Sequence, residues 1–275
     1  MLKIFVDSGS SIKRGECEAL GVEMLPLRIS LGEEEYLDGV NITSEIFYDA
    51  LINKKLFPKT SLPSLADAEA RINACTDAGD DVLVLTISSG ISGTFSTFKA
   101  MFSANPRVRV IDTKTAVGGI RILVGEALKH KDEPLDKVEK AVLELIPRIR
   151  VIAIPETLEY LHRGGRLSRA AFTVGSVLHL KPLITLDSSD GRVKVLAKAL
   201  GIRRSMEALV GHLSSADTSY PIVPSYTYDR ANIERLVAMT DERLMGAMTE
   251  YDDLDFAIAC HWGPSAFGFI FVAKE

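Results

Sequence analysis

The sequence predicts an α/β protein in two domains. The first carries a mostly parallel sheet with helices on both faces, and the second is an α+β domain. Three observations carry this expectation. Apolar runs at residues 2–6, 82–87 and 108–112 are nearly continuous, as in strands buried on both faces. Each is followed by a segment of helical period, the alternation that builds parallel sheets. In the second half, residues 183–186 and 193–197 flank a turn-rich link at 187–191, which reads as a hairpin. The change of pattern places domain boundaries at 1–150 and 151–275.

Taken in order, residues 2–6 form a strand that ends at Asp7-Ser8, 12–20 a helix and 21–30 a second strand. Residues 34–37 are a short strand. Thr43 caps a helix running to about residue 52, and Ser64 caps another with apolar or small residues at Leu65, Ala68 and Ile72. Strand 82–87 leads into helix 93–102, which stops near Asn105-Pro106. Strand 108–112 precedes helices 117–128 and 135–146. In the second half, 151–154, 222–226, 256–260 and 269–273 read as strands beside the hairpin. Residues 158–162, 170–178, 202–213 and 232–240 read as helices.

The bulk numbers narrow the function. The chain has 275 residues, 47% apolar and 25% charged, with a net charge of −5. That balance suits a globular protein and argues against a nucleic-acid partner. No apolar run reaches the ~18 residues of a membrane span. The opening MLKIFVDSGS lacks the charge and apolar core of a signal peptide. Cys17, Cys75 and Cys260 are odd in number and far apart. They suggest neither disulfides nor a zinc site, and a reducing cytoplasm fits them best. Phosphate-loop and dinucleotide motifs are absent, so no cofactor is expected.

Chemistry concentrates in four stretches. Thr86-Ile87-Ser88-Ser89-Gly90-Ile91-Ser92-Gly93-Thr94-Phe95 sets hydroxyls and glycines where a buried strand meets a helix. Free N–H groups and the helix dipole there suit a carboxylate or phosphate. Turn chemistry and capping by Ser92 are the plain alternative. Lys59-Thr60-Ser61-Leu62-Pro63-Ser64 is a second hydroxyl cluster, and capping explains only Ser64. Arg163-Gly164-Gly165-Arg166 either closes a helix or presents an anion-binding arginine. Cys260-His261-Trp262-Gly263-Pro264 puts a histidine and the single tryptophan at the end of an expected strand. A Gly-x-Ser-x-Gly nucleophile elbow fails at its last position, Thr94. A serine-dependent acyl hydrolase or transferase using Ser92 and His261 stands as the alternative function.

These stretches together resemble the DegV family of bacterial fatty-acid-binding proteins. The resemblance runs through Asp7-Ser8, Thr60-Ser61-x-Pro63, Ser88–Thr94, Ile111-Asp112, Leu158–Leu161 with Gly164–Ser168, Leu180–Ile184, Gly191–Val193 and His261-x-Gly263-Pro264. Each motif is weak alone, and their order over nearly the whole chain is specific. The resemblance implies a two-domain α/β fold with a buried acyl chain and a non-catalytic carrier role. It implies contacts from Thr60, Ser61 and Ser92 to a long-chain fatty-acid carboxylate, with His261 close by. Arg166 and Arg203 fall to the head group or to a partner surface. It further implies a separate fatty acid kinase subunit that makes the acyl phosphate for phospholipid metabolism, and it allows transient membrane contact. The chain departs from the family pattern at Thr113, where serine is usual, and at Leu200, where a basic residue is usual.

Overall fold

The computed structural model describes residues 1–175 and 180–275. The chain opens with β1 (Leu2–Asp7), a tight turn at Ser8–Ser10, α1 (Arg14–Leu20), β2 (Val22–Leu25), β3 (Arg28–Leu31), β4 (Glu34–Leu37) and α2 (Ser44–Tyr48), which widens into a π turn at Asp49–Asn53. Next come β5 (Lys59–Ser61), α3 (Leu65–Asp77), β6 (Asp81–Thr86), α4 (Thr94–Met101), β7 (Val108–Asp112), α5 (Gly118–Lys129) and α6 (Leu135–Leu145). The second half holds β8 (Ile149–Ile154), α7 (Glu159–Arg163), α8 (Arg169–Gly175), β9 (Leu180–Leu186), β10 (Val193–Leu200) and α9 (Gly201–His212). It closes with β11 (Val223–Tyr226), α10 (Ala231–Val237), β12 (Asp252–Asp253), α11 (Phe256–Trp262) and β13 (Phe267–Val272).

The first sheet has the order β2-β1-β6-β7 and is parallel throughout. Alternation along its strands serves two cores. Ile4, Val6, Leu83 and Leu85 face α5 and α6, whereas Phe5, Val82 and Val84 face α3 and α4. The expected parallel sheet with helices on both faces is therefore present. A second sheet, ordered β10-β9-β8-β13-β11-β12, is mixed. Its strands alternate too. Val151, Ile270 and Val272 join the core under α5 and α6, while Ile152, Phe269 and Phe271 pack on α9 and α10. One apolar core thus joins both sheets. A three-stranded sheet, β4-β3-β5, packs with α2 against one face of α11.

Two expectations fail, each for a physical reason. Residues 21–30 form β2 and β3, which belong to different sheets, rather than one strand. Pro26, which has no N–H to donate, stands at the break. Residues 256–260 form a helix, not a strand. A five-residue apolar run carries no period that separates the two, and Asp255 at the N-cap position was the signal to weigh. Smaller shifts are ordinary end effects: α1 begins at Arg14, and β8 begins at Ile149. The expected helix at 170–178 appears as α8 up to Gly175, and its last three positions lie outside the described residues. The caps at Thr43 and Ser64 form as expected, accepting from the N–H groups of Ile46 and Asp67.

In the first sheet the chain leaves β1 on one side to β2 and returns on the other to β6. The carboxyl ends of β1 and β6 therefore flank the point where strand order reverses, the place where open α/β sheets bind ligands.

Candidate functional site: a cavity with one charged polar wall

A cavity of about 320 Å³ lies at that reversal point. Its polar lining comes from four separate elements: Thr60 and Ser61 on β5, Ser92 after β6, Arg166 after α7 and His261 on α11. Most of the remaining lining is apolar, including Leu27, Leu62, Ile87, Ile91, Leu161 and Ile258, with Trp262 beside them. Five of the six site residues expected from the sequence thus meet in one place, although they lie up to two hundred positions apart. Arg203 does not join them. It sits on α9, exposed and paired with Glu207 at 3.0 Å.

The polar groups are interlocked. Thr60 Oγ1 and His261 Nε2 share a hydrogen bond of 2.8 Å. His261 Nδ1 is buried and has no partner among the described residues. Burial, with the Arg166 charge second, pushes its imidazole down to about 3, so the ring is neutral at physiological pH. Gly164 makes this placement possible: a Cβ there would stand 2.4 Å from His261 Nδ1. Ser92 Oγ shares a hydrogen bond of 2.9 Å with Thr94 Oγ1 and accepts from Thr94 N–H at 3.3 Å. The pairing a serine nucleophile needs is therefore absent, since His261 engages Thr60 and Ser92 engages Thr94.

Among the described residues Arg166 is the one charged group on the cavity wall. Its Nε donates to Ile91 O at 2.9 Å, and Nη1 donates to Gly164 O. Nη2 has no bond, and no carboxylate pairs with Arg166, among the described residues. Burial lowers its pKa, as expected of a cation drawn out of water without a counter-ion. Its neighbour Arg163 behaves differently. It pairs with Glu159 at 3.2 Å and lies over the Phe57 ring at 4.1 Å. Of the two arginines in the RGGR stretch, one is surface chemistry and one faces the cavity.

The stretch from Thr86 to Phe95 divides in the same way. Ser88 Oγ donates to Gly191 O at 2.8 Å and accepts from Gly90 N–H at 3.1 Å. Ser89 donates to Asp112 from its backbone N–H, at 2.9 Å, and from its hydroxyl. Gly90 packs on the hairpin turn, where a Cβ would come within 2.4 Å of Gly191. These residues fasten the loop to β7 and to the β9–β10 turn. Only Ser92 of the hydroxyls reaches the cavity. Thr113, the departure noted above, donates to Thr86 O at 2.8 Å and plays a structural part.

Comparison with known proteins decides the family. The model for "Uncharacterised protein, DegV family" matches residues 1–274. The chain belongs to the DegV family. A DegV domain-containing protein of Clostridium perfringens is 32% identical over 217 residues, 76% of each chain. One from Caldanaerobacter subterraneus is 29% identical over 99% of each chain. Among solved structures, the fatty acid binding DegV family protein of Streptococcus agalactiae superposes with TM-score 0.90 at 25% identity, covering 100% of this chain and 99% of that one. A DegV family protein of Thermus thermophilus, described for its fatty acid binding, gives 0.85 at 28% identity, covering 99% of each chain. The fold is thus the DegV fold.

Three phenylalanines near these stretches, Phe95, Phe98 and Phe172, pack elsewhere. Phe98 is fully buried with Phe102 on the far face of the first sheet, and Phe95 packs against that cluster. Phe172 stacks on His162 at 4.4 Å. None of the three lines the DegV cavity. The aliphatic residues that do line it come from six segments, and no local pattern marks them. No helix among the described residues is long and apolar enough to cross a membrane.

Proposed function

We propose that this chain binds a long-chain fatty acid and presents it to a kinase subunit for conversion to an acyl phosphate. The single observation that carries this is Arg166: a half-buried cation without a carboxylate partner among the described residues, beside hydroxyls on the wall of a mostly apolar cavity. A ligand with an anionic head and an apolar tail matches both halves of that lining. The two solved relatives named above for fatty acid binding support the same ligand class.

The carboxylate is held by Thr60, Ser61 and Ser92, with His261 as a neutral hydrogen-bonding neighbour and Arg166 as the charge. A tail of ~14 methylenes gains ~11 kcal/mol gross on burial at ~0.8 kcal/mol each. Ordering the tail and losing translational freedom offset much of this. Affinity therefore comes mainly from the tail, and the head-group contacts set orientation. Neutral hydroxyls suit a carrier, because a second buried cation would hold the carboxylate too tightly for transfer. The chain acts as a carrier and does not itself catalyse.

Trp262 is the single tryptophan and lines the cavity, so it reports occupancy without a label. Delipidated protein titrated with palmitate should change Trp262 emission and saturate at one palmitate per chain in the micromolar range or tighter. Emission that stays constant, with no heat of binding, would refute the fatty-acid ligand. For the partner, lipid-loaded protein mixed with an ATP-dependent fatty acid kinase subunit should yield acyl phosphate. We assign the kinase-facing surface to the region of Arg203 and Leu200, both of which are exposed.

A further inference from the structure

Two buried acids hold the cavity wall from behind. Asp7 ends β1 and is fully buried. Its Oδ1 accepts from Gly9 N–H at 3.1 Å and its Oδ2 from Ile87 N–H at 2.9 Å. Asp38 follows β4 and is also fully buried. Its N–H donates to Leu27 O at 2.9 Å, and its Oδ1 accepts from Phe256 N–H at 3.1 Å. Ile87 and Leu27 line the cavity, and Phe256 opens α11, which carries His261 and Trp262. Asp38 Oδ2 has no partner among the described residues.

Cations are too few for these acids. The titratable groups facing Asp38 are Asp255 just before α11, Lys13 just before α1, and the Cys260 thiol within α11, while the Ser8 hydroxyl and Ala257 N–H partly offset its burial. Lys13 Nζ is committed to Asp255 Oδ1 and to Asp253 O. Arg121 on α5 is committed to Asp252 at 3.4 Å and Glu16 at 3.2 Å. Among the described residues Lys13 is the one cation that acts on Asp38, and it is bonded to Asp255, which also feels Arg121. Among the described residues Asp7 is bound only by backbone N–H groups, and no charged side chain shifts it. Burial of a carboxyl in that position favours its protonated form, and the backbone N–H donors to Asp7 offset this only in part. Burial pushes Asp7 up to about 7, and burial with the Asp255 charge pushes Asp38 up to about 7.

We propose that Asp7 and Asp38 are positioning residues that must be protonated for the cavity to hold its anionic ligand tightly, so that binding is coupled to proton uptake. This rests on the fatty-acid function proposed above. Ionisation of either acid would place a negative charge behind the wall of an anion site in a low-dielectric interior. It would also set Asp38 against Asp255 at the start of α11, the helix that positions His261. Affinity is then full below neutral pH and falls as the pH rises through about 7.

The test is palmitate binding, read by Trp262 emission and by calorimetry between about pH 6 and pH 8.5. Hexadecanesulfonate, an anion over this whole range, controls for titration of the palmitate head. The wild type should weaken by about tenfold or more across the range for both ligands, and should take up protons on binding near neutral pH. Asp38→Asn keeps the acceptor for Phe256 N–H without the charge. It should bind at the wild type's acid-side affinity, with a flatter profile and about half a proton fewer taken up at pH 7, the remainder being the share of Asp7. Asp255→Asn removes the like charge and should move the midpoint to lower pH. A flat wild-type profile overturns the proposal, as does an Asp38→Asn profile identical to wild type. If Asp38→Asn does not fold, an unmoved midpoint in Asp255→Asn overturns it equally. Wild-type protein that binds neither ligand at any pH would refute the fatty-acid function itself, an outcome distinct from binding without pH dependence.

Discussion

Two segments at the carboxyl edge of the parallel sheet present hydroxyls, and they use them in opposite ways. In residues 86–95, Ser88 and Ser89 are consumed in fastening the loop to Gly191 and Asp112, and only Ser92 faces the cavity. In residues 59–61, Thr60 and Ser61 both face it, and Thr60 bonds His261 on α11. The first segment spends its polar groups on holding shape, and the second turns them to the cavity. A cluster of hydroxyls therefore marks a site without saying which of its members touch the ligand. Burial alone does not discriminate, since Ser89 is exposed yet bonded to Asp112. Ser88 is fully buried and bonded on both sides, whereas Ser61 is exposed.

The largest effect is expected from removing the charge that both segments surround. Arg166→Met should weaken palmitate binding by roughly ten- to a hundredfold, the ~1.5–3 kcal/mol of a charged hydrogen bond. Arg166→Lys should recover only part of this, because a lysine lacks the planar fork that reaches Ile91 O. Unchanged affinity in Arg166→Met would remove the basis for the head-group assignment. Ser88→Ala should act on the fold instead. It leaves Gly191 O and Gly90 N–H without their shared partner and should cost about 1–3 kcal/mol in denaturant unfolding. Palmitate affinity measured on the folded fraction should change little. The reverse pattern would mean that the division between the two segments is wrong.

His261 supplies the next effect, and its lowered pKa sets the sign. Its folded pKa of about 3 lies below the usual 6.5, so between these values the unfolded chain binds the extra proton. Its contribution to stability is complete above pH 6.5 and declines as the pH falls towards 3. From about pH 7.5 to pH 5, wild type should lose roughly 2 kcal/mol more than His261→Gln. Unfolding midpoints at the two pH values measure this. Equal losses in the two proteins would mean that the ring is not held neutral. Ser61→Ala should give the smallest effect. Stability should stay within about 0.5 kcal/mol, and palmitate affinity should fall by only a few-fold. A stability change larger than the affinity change would place Ser61 with Ser88 rather than with Thr60.

Much of this architecture is legible from the chain. The strands at 2–6, 82–87 and 108–112 are continuous apolar runs because both faces of their sheet are covered, and that burial is what the sequence records. The hairpin of β9 and β10 is visible through its turn residues. The nature of α11 is not visible. Phe256–Cys260 packs on two cores at once, with Ile258 and Trp262 on one side and Ala257, Ala259 and Cys260 on the other, so no polar stripe discloses its period. The polar site residues stand out as hydroxyls, glycines and a histidine beside turns, and the fold brings Thr60, Ser61, Ser92, Arg166 and His261 to one cavity. Leu27, Leu62 and Ile258 carry no comparable mark, since an aliphatic residue facing a cavity and one facing the core look alike in sequence. Asp38 precedes Gly39 and resembles a turn residue, yet it is fully buried behind the cavity wall.

The most direct measurement is mass spectrometry of the purified protein under native conditions and again after organic extraction. A carrier with this cavity should release one long-chain fatty acid per chain, and its mass gives the chain length and unsaturation. Protein that emerges empty, and that remains empty after incubation with palmitate and gel filtration, would contradict the fatty-acid function.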